Sequence, residues 1–598
     1  MITNYARTML MLLVAVCLLA IAGLSPVSAA IQATTTTPTV TRTATSVPAT
    51  ATAVPPTATK VATAVPPTAT KVVTATAVPP TATKVATAVP PTATKVVTAT
   101  ATSTTAATAT ATKVAPPTAT ATRTPTKTPT RPAARAPRAG TVTTLSTAFV
   151  LQNMDAATAA NVSATFYNVT GTAVAVSAVS VPINGNTTID QRNQAGLATG
   201  FAGSVVVSST TQLAAIVNEY SGLAASLGVD FRSDAYNGVP SSQANTGALL
   251  PQVLKAIVDA AQQKTYNSMI AIQNTSATAS ANVTITYTSI FPQVGTSTHS
   301  GIVIPPGSSV HIDMAGETPW AQFFGPANVT SNQSIAVIVN QNAAGSLLIY
   351  RGFTSADGGT ALLVTQALTS IFDSGQGLNY GSAIEGMTVN GSSTTVTVNY
   401  TNLLGTTKSC TLPAGTTFRV DMRPGNWPAG CTPPVNGSGQ FFGSISFTAG
   451  TPIVALSNLQ SDYSASKGIR TSASRAFVTP GGTTTGYAPM VMRDYVDAGT
   501  GVTWGTALEG RFLSGTGTAT IRYYSAAGTL LGTDTYTAGA DQIFRFDQRL
   551  ANPQTSFILP SGTVAAAIVT APQSFVFTVN AQGAGSTLGD ALTVYMSQ

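Results

Sequence analysis

The sequence predicts an all-β protein: tandem immunoglobulin-like antiparallel β-sandwiches preceded by a disordered Thr/Pro-rich stalk and a signal peptide. Three observations predict this fold class. Only 8% of the 598 residues are charged, and the abundance of Thr, Val and Gly favours strands and turns over solvated helices. Short runs alternate apolar and polar residues with a period of two. The same succession of strands and turns returns four times after about residue 140.

The N-terminus is typical of an export signal. In residues 1–29, Arg7 precedes an apolar core from Met9 to Leu24, and Val27 to Ala29 form a small-residue cleavage site. The core is shorter than the ~20 residues that span a bilayer. We therefore expect a cleaved signal peptide and a secreted, extracellular chain, which leaves cell-surface association open. Retention of the leader as an anchor and lipidation of Cys17 are the alternatives.

Residues 30–140 form a low-complexity segment rich in Thr, Pro and Ala. The heptad Val-Pro-Pro-Thr-Ala-Thr-Lys occurs four times, beginning at Val54, Val65, Val78 and Val89. Proline favours polyproline II, and the segment has no apolar periodicity from which to build a core. The segment is predicted to be a stalk, either O-glycosylated or an unmodified disordered linker.

The distribution of charge indicates the kind of partner. Arg7 to Arg138 hold 12 of the 28 basic residues, and no acidic residue precedes Asp155. The remaining chain holds 16 basic and 20 acidic residues, so it lacks the basic folded face of a nucleic-acid-binding protein. The expected partners are cell-wall polymers, extracellular polysaccharide or other surface proteins. We expect no nucleic acid, and no transmembrane span after signal cleavage.

Four copies of one β unit follow the stalk. Their closing strands end at Asn218, Asn340, Asn458 and Asn580, which are 122, 118 and 122 residues apart. A period near 120 suits one sandwich per copy, because solenoid repeats are about 20–50 residues long. The predicted sandwiches are residues 141–245, 246–358, 359–485 and 486–598. Short linkers between them suggest beads on a string.

The repeated strands carry a resemblance. Copies one and two share Ile-Gln-Asn or Leu-Gln-Asn before Ala160-Asn161-Val162 and Ala281-Asn282-Val283, and a Pro-Gly turn at Pro306-Gly307 follows in copy two. The pattern over residues 145–598 resembles uncharacterised secreted proteins of environmental bacteria with a Thr/Pro-rich stalk and tandem immunoglobulin-like β-sandwich repeats. The resemblance implies an extracellular location, and it carries no catalytic residues to transfer.

The four copies share one aspartate each and one asparagine each. Catalysis by paired carboxylates needs two of them in one cleft, whereas these aspartates occur once per copy. Asp and Asn side chains commonly satisfy turn backbone, so the sets are predicted to be structural turn or cap residues: Asp190, Asp313, Asp421 and Asp547, with Asn218, Asn340, Asn458 and Asn580. Arg192, Arg423 and Arg549 follow three of the aspartates by two residues, whereas copy two has Ala315 there.

Other candidate sites are few. Cys410 and Cys431 are the only cysteines after the leader and are predicted to form a disulfide. The chain has two histidines, His299 and His311, so we expect no metal and no cofactor. His311 lies near Ser308 and Asp313 but lacks a nucleophile motif, and no catalytic residue is predicted.

Tryptophans offer a candidate glycan contact, because exposed indoles stack on sugar rings. Trp320 and Trp427 occupy the same loop of copies two and three, and Trp504 opens copy four. The sequence therefore predicts a structural or adhesive surface protein without catalytic activity. The first alternative is a carbohydrate-binding surface protein for cell-wall or extracellular polysaccharide, and the remote one is a glycan-active enzyme.

Overall fold

Alternating apolar and polar residues form the strands that the sequence predicts. The structure is a computed structural model, and it describes residues 145–221, 231–317, 319–374, 376–464, 468–479, 481–498, 501–539, 542–549, 556–584 and 590–597. The predicted signal peptide (1–29), Cys17 and the predicted stalk (30–140) lie outside the described residues. Strands dominate the part that is described, which confirms the all-β prediction.

Unit one is built from β1 (Leu145–Asn153), β2 (Ala160–Asn168), β3 (Ala173–Val181), β4 (Asn186–Asp190), β5 (Gly203–Ser209), β6 (Leu213–Ser221) and β7 (Arg232–Asn237). Unit two contains β8 (Asn245–Lys255), β9 (Ile257–Asp259), β10 (Lys264–Asn274), β11 (Ala281–Ser289), β12 (Gly295–Ile304), β13 (Ser309–Asp313), β14 (Phe323–Ala343) and β15 (Ser346–Arg351).

Unit three contains β16 (Gly359–Thr369), β17 (Ile371–Asp373), β18 (Leu378–Thr388), β19 (Thr394–Asn402), β20 (Thr407–Gly415), β21 (Thr417–Asp421), β22 (Phe441–Ser461), β23 (Thr471–Arg475) and β24 (Phe477–Val478). Unit four contains β25 (Thr483–Arg493), β26 (Tyr495–Val496), β27 (Thr503–Phe512), β28 (Gly517–Tyr524), β29 (Leu530–Ala538), β30 (Ile543–Asp547), β31 (Thr563–Ala584) and β32 (Asp590–Met596). Single 3-10 turns occupy Gln191–Asn193, Ser241–Gln243, Met314–Gly316 and Ser355–Asp357.

One long strand joins the two layers of each sandwich in units two to four. In unit two the first half of β14 pairs with β8 and β11, and its second half pairs with β10 and β15. The strands β22 and β31 do the same in units three and four. The inward side chains of both layers, including Ile270, Ile285 and Val339, form the core between them.

The four units close into a ring. One short strand of each unit packs beside that of the next, in the order β7, β15, β23, β32 and back to β7. We call these four the axial strands. The predicted beads on a string are therefore corrected to one compact body. Apolar cores continue across the junctions, as where Met387 and Leu456 of unit three join the core of unit two, and this burial favours closure.

Two buried aspartates hold the axial strands together. Asp234 of unit one accepts from the backbone N–H of Ile349 in unit two at 2.5 Å and of Ala473 in unit three at 3.2 Å. Asp590 of unit four accepts from the backbone N–H of Leu347 at 3.1 Å and Thr471 at 2.6 Å. Burial raises the pKa of both carboxyls well above the ordinary value.

Candidate functional site

The repeated aspartates lie at the end of an edge strand, where each caps the loop that follows. Asp190 accepts from the backbone N–H of Arg192 at 2.9 Å, and Asp313 does so from Ala315 at 2.9 Å. Asp421 and Asp547 accept in the same way from the N–H groups of Arg423 and Arg549. A carboxylate fits this place because it satisfies a backbone donor two residues on.

The arginine two residues after each of three aspartates grips that same carboxylate. Arg192 donates to Asp190, Arg423 to Asp421 and Arg549 to Asp547 through two or more guanidinium nitrogens. Such forked pairing is geometrically specific. Burial alone raises the pKa of Asp547, but Arg549 and Arg545 together outweigh that effect and hold the pKa below the ordinary value.

Each of these arginines also reaches into the preceding unit of the ring. Arg423 Nη1 lies 2.8 Å from Asp259 Oδ2 of unit two. Arg549 lies 3.9 Å from Asp373 of unit three. The third is Arg192 of unit one, whose Nη2 is 3.8 Å from Asp497 of unit four. The arginines therefore join neighbouring units, in one repeated head-to-tail interface.

Units three and four extend this network inward. Arg419 lies 3.1 Å from both Glu385 and Asp421, and its guanidinium sits 5.4 Å from the ring centre of Phe324 in unit two. The corresponding Arg545 in unit four pairs with Glu509 and Asp547. Burial raises the pKa of Glu385 to about 7, and Arg419 only partly opposes that rise.

The repeated asparagines do not cap turns, which corrects their predicted role. Each lies within a strand and directs its amide Nδ2 at the neighbouring unit. Asn340 donates to Glu219 and Asn458 to Gln252, both at 2.7 Å. Asn580 reaches Gln366 at 3.3 Å, and Asn218 reaches the sulfur of Met490 at 4.0 Å. The sets are therefore junction residues: Asn218, Asn340, Asn458 and Asn580.

The remaining predicted residues are placed as follows. Trp504 is buried beside Phe231 and Val502, which removes it as a glycan contact. Trp320 stacks on Phe323, and the indole N–H of Trp427 donates to Met422 O at 3.1 Å. Both remain partly exposed. The structure joins Cys410 and Cys431 in a disulfide.

Ser308, His311 and Asp313, which lie close together in the sequence, do not bond to one another. His311 is exposed on β13, opposite Ala271 of β10. Ser308 donates instead to Val169 O of unit one at 2.5 Å, and Asp313 caps Ala315. Within the described ranges, no three His, Cys, Asp or Glu side chains are grouped to hold a metal ion.

A cavity of about 430 Å³ opens where the axial strands end. Residues of all four units line it, and the same register position contributes Tyr236, Tyr350, Ser474 and Tyr595. This shared position results from ring closure, which brings four equivalent strand ends to one place. The cavity is therefore a property of the ring that a single unit lacks.

Two arginines and one aspartate are the charged residues that line this axial cavity. Asp357 lies 2.7 Å from Arg475 and 3.5 Å from Arg351. Arg475 also lies over the ring of Phe353, 4.2 Å from its centre. Three side chains thus share one negative and two positive charges, and a low-dielectric wall strengthens the attraction of that excess for an anion.

Sequence reasoning missed this cavity because its residues are far apart in the chain. Arg351 and Arg475 close β15 and β23, one at the end of each strand. The occurrence of an arginine at the end of both strands could have been noticed in the sequence. The ring order that brings the two strand ends together was not readable from local patterns.

Comparison with known proteins gives weak matches. The chain matches no known family and no curated protein. Among solved structures, "Thermotoga maritima 1070" shares 13% identity over 18% of this chain and 94% of its own, with a TM-score of 0.15. A "tetra-tandem repeat in extending region of large adhesion protein" shares 13% identity over 73% of this chain and 90% of its own, with a TM-score of 0.08. These scores are too low to bear on function. The described chain is a protein of repeated β-sheet units.

None of the helices in the part of the chain that is described is long and apolar enough to cross a membrane.

Proposed function

We propose that this chain is an exported structural or adhesive protein, secreted or held at the cell surface, without catalytic activity. The proposal rests on the observation that the repeated polar side chains form contacts between units. The repeated arginines, aspartates and asparagines bind one unit to the next, as Arg423 does with Asp259 at 2.8 Å. Because these side chains are bonded to neighbouring units, they stabilise a compact body whose loops remain on the surface.

Cell fractionation with N-terminal sequencing tests the location. We expect the chain outside the cytoplasm and beginning near residue 30. A cytoplasmic chain that keeps residues 1–29 would overturn the proposed export. Adhesion of the producing cells to surfaces and to one another tests the role, and deletion of residues 141–598 should reduce it.

Polysaccharide binding is a second candidate, supported by the axial cavity. Its volume of about 430 Å³ suits one or two sugar rings, and its charge excess of one favours an acidic sugar. A glycan array followed by calorimetry with uronic acid oligosaccharides tests it. Binding should be lost in Arg475→Gln and kept in Arg522→Gln, because Arg522 is exposed away from the cavity.

The tryptophan hypothesis is separable on the same array. Loss of retention in Trp320→Ala and Trp427→Ala, with Arg475→Gln unaffected, would assign binding to those loops. If the native chain retains no glycan at all, the structural role stands alone.

A further inference from the structure

Within the described residues, unit one has no counterpart to the first strand of its three siblings. The strands β8, β16 and β25 pair with the first half of the long strand in their units. Among the described residues, the corresponding β5 pairs with β2 alone. Its Val207 is 37% exposed, whereas Val329, Phe447 and Val569 at the same register position are at most 1% exposed. Among residues 145–221 and 231–237, no strand covers the core of unit one along this edge.

The junction of units one and two lacks one contact that the other three junctions have. The other three junctions each hold an arginine that reaches the preceding unit, but unit two has Ala315 at that position. A cavity of about 390 Å³ lies there, lined by Asp313 and Ala315 of unit two and by Arg232 of unit one, which donates to Ala343 O at 3.2 Å. Asp313 is exposed, and no described cation lies within ion-pair distance of it.

The spacing of the acid partners identifies the residue that should face this cavity. The next strands after Asp259, Asp373 and Asp497 are β10, β18 and β27. These strands end at Asn274, Thr388 and Phe512, and each aspartate lies 15 residues before the corresponding end. In unit one that last residue is Asn153. Counting back 15 residues gives Arg138. A cation thus stands where the siblings have an acid, and it would meet Asp313 instead of an arginine.

At a second position, too, unit one has a basic residue before residue 145 and an acidic partner for it in the described chain. Gln252 lies 22 residues before Asn274, and Gln341 of the same unit donates to its Oε1 at 2.9 Å. The corresponding residues of unit one are Arg131 and Glu219. An amide pair in unit two is therefore replaced by residues of opposite charge in unit one. Two independent positions change in complementary ways.

We propose that residues 127–144 dock along the open edge of β5, with residues up to 134 forming the first strand of unit one, Arg131 at Glu219 and Arg138 at Asp313. This goes beyond the proposed function, since it assigns the surface on which the chain upstream of β1 is fixed. Pro129 and Pro132 are compatible with an outer edge strand. The sibling strands carry Pro251 and Pro489 where the ladder with the long strand skips residues, and the same count places Pro129 and Pro132 on either side of that stretch, at the positions of Leu250 and Val253.

Hydrogen exchange of the full-length chain tests the docking. Amides of residues 127–144 should exchange at least about tenfold more slowly than their intrinsic rates. Asp313→Asn keeps the cap acceptor for Ala315 but removes the charge, so it should abolish most of that protection. Arg138→Ala should have the same effect, and the double variant should be no worse than either.

Two rebuilt pairs provide rescue. Arg138→Asp with Ala315→Arg recreates the junction of units two and three, and Arg131→Gln with Glu219→Gln recreates the amide pair of unit two. Both should restore protection. Glu317→Gln is the matched control: it removes a nearby carboxylate that pairs with His299 at 2.7 Å, and protection should persist. Unchanged exchange of residues 264–274 shows that each variant is folded.

Exchange of residues 127–144 at intrinsic rates in the native chain would overturn the proposal. Equal protection in native protein, Asp313→Asn and Arg138→Ala would overturn it too. If protection depends on protein concentration and native mass spectrometry shows a dimer, the edge is occupied by a second copy and docking within one chain is refuted.

Discussion

Arg423 of unit three donates to Asp259 of unit two at 2.8 Å, while its other nitrogens hold Asp421 in its own loop. One guanidinium thus satisfies a loop cap and a junction together. Five donors in a planar fork make this possible, and the compact ammonium of lysine could not replace it.

We expect Arg423→Met to destabilise the protein by about 3 kcal/mol, since it leaves the largely buried Asp421 with fewer partners. Chemical denaturation measures the loss. Arg192→Met is the comparison, because the contact of Arg192 with the preceding unit is 3.8 Å long and its side chain is more exposed. We expect a loss of about 1 kcal/mol there. Equal losses would contradict the importance of the buried contact.

Stability should fall as the pH rises from about 4.5 to about 7. Glu385 has a folded pKa of about 7 and an ordinary value of 4.5, so its favourable contribution is complete below 4.5 and is lost through this window, up to about 3 kcal/mol. Glu219, with a pKa of about 7, acts in the same direction. Asp547 has a lowered pKa, so its contribution to stability is complete in this window and is lost only as the pH falls below the ordinary pKa of an aspartate.

Unfolding measured between pH 4.5 and 8 tests this sign. Glu385→Gln should flatten part of the slope and leave the part due to Glu219 and to the buried Asp234 and Asp590, and Glu219→Gln should likewise remove only its own part. A native protein whose stability rises over this window would show that the buried glutamates are not the controlling groups.

Asp590→Ala should loosen the ring, because it leaves the N–H groups of Leu347 and Thr471 without their acceptor. Each unsatisfied buried group costs about 1–3 kcal/mol. Hydrogen exchange should accelerate in β15 and β23 together. Asp462→Ala, at an exposed aspartate, should leave both strands unchanged. Acceleration in β32 alone would mean that Asp590 acts only within its own unit.

Reduction of the Cys410–Cys431 disulfide should destabilise unit three by about 3 kcal/mol, as expected for a loop closed by residues 21 apart. Denaturation with and without reductant gives the difference. The Cys410→Ser, Cys431→Ser variant should be equally unstable in both conditions. A reductant effect that persists in this variant would have another cause.

Local features of the fold were readable from the sequence. The strands follow from period-two runs, and the capping by Asp190 or Asp421 needs a backbone donor only two residues away. Contacts between units were not readable. The partner of Asn458 is Gln252, 206 residues earlier, and no local pattern indicates that an in-strand amide crosses a junction.

The absence of an arginine at position 315 was visible in the sequence but was open to misreading. If the arginine is taken for a binding residue shared by the copies, its absence from copy two argues only against a common ligand site. Within the ring it marks the junction where the preceding unit has no described partner strand. Which side chain is needed at this position depends on the residues of the preceding unit that it faces, and local residues do not encode them.

The placement of Asp590 has a consequence for biosynthesis. This residue belongs to the last of the four units to be synthesised, yet it bonds to unit two through Leu347 and to unit three through Thr471, and its own N–H donates to Phe231 of unit one. Phe231 of unit one clusters with Ala591 of unit four, and Leu368 of unit three clusters with Leu592, so these apolar faces stay uncovered until unit four emerges. Maturation of the ring is a late event, and a chaperone that shields these faces would raise the yield of folded protein more than one that accelerates the folding of any single unit.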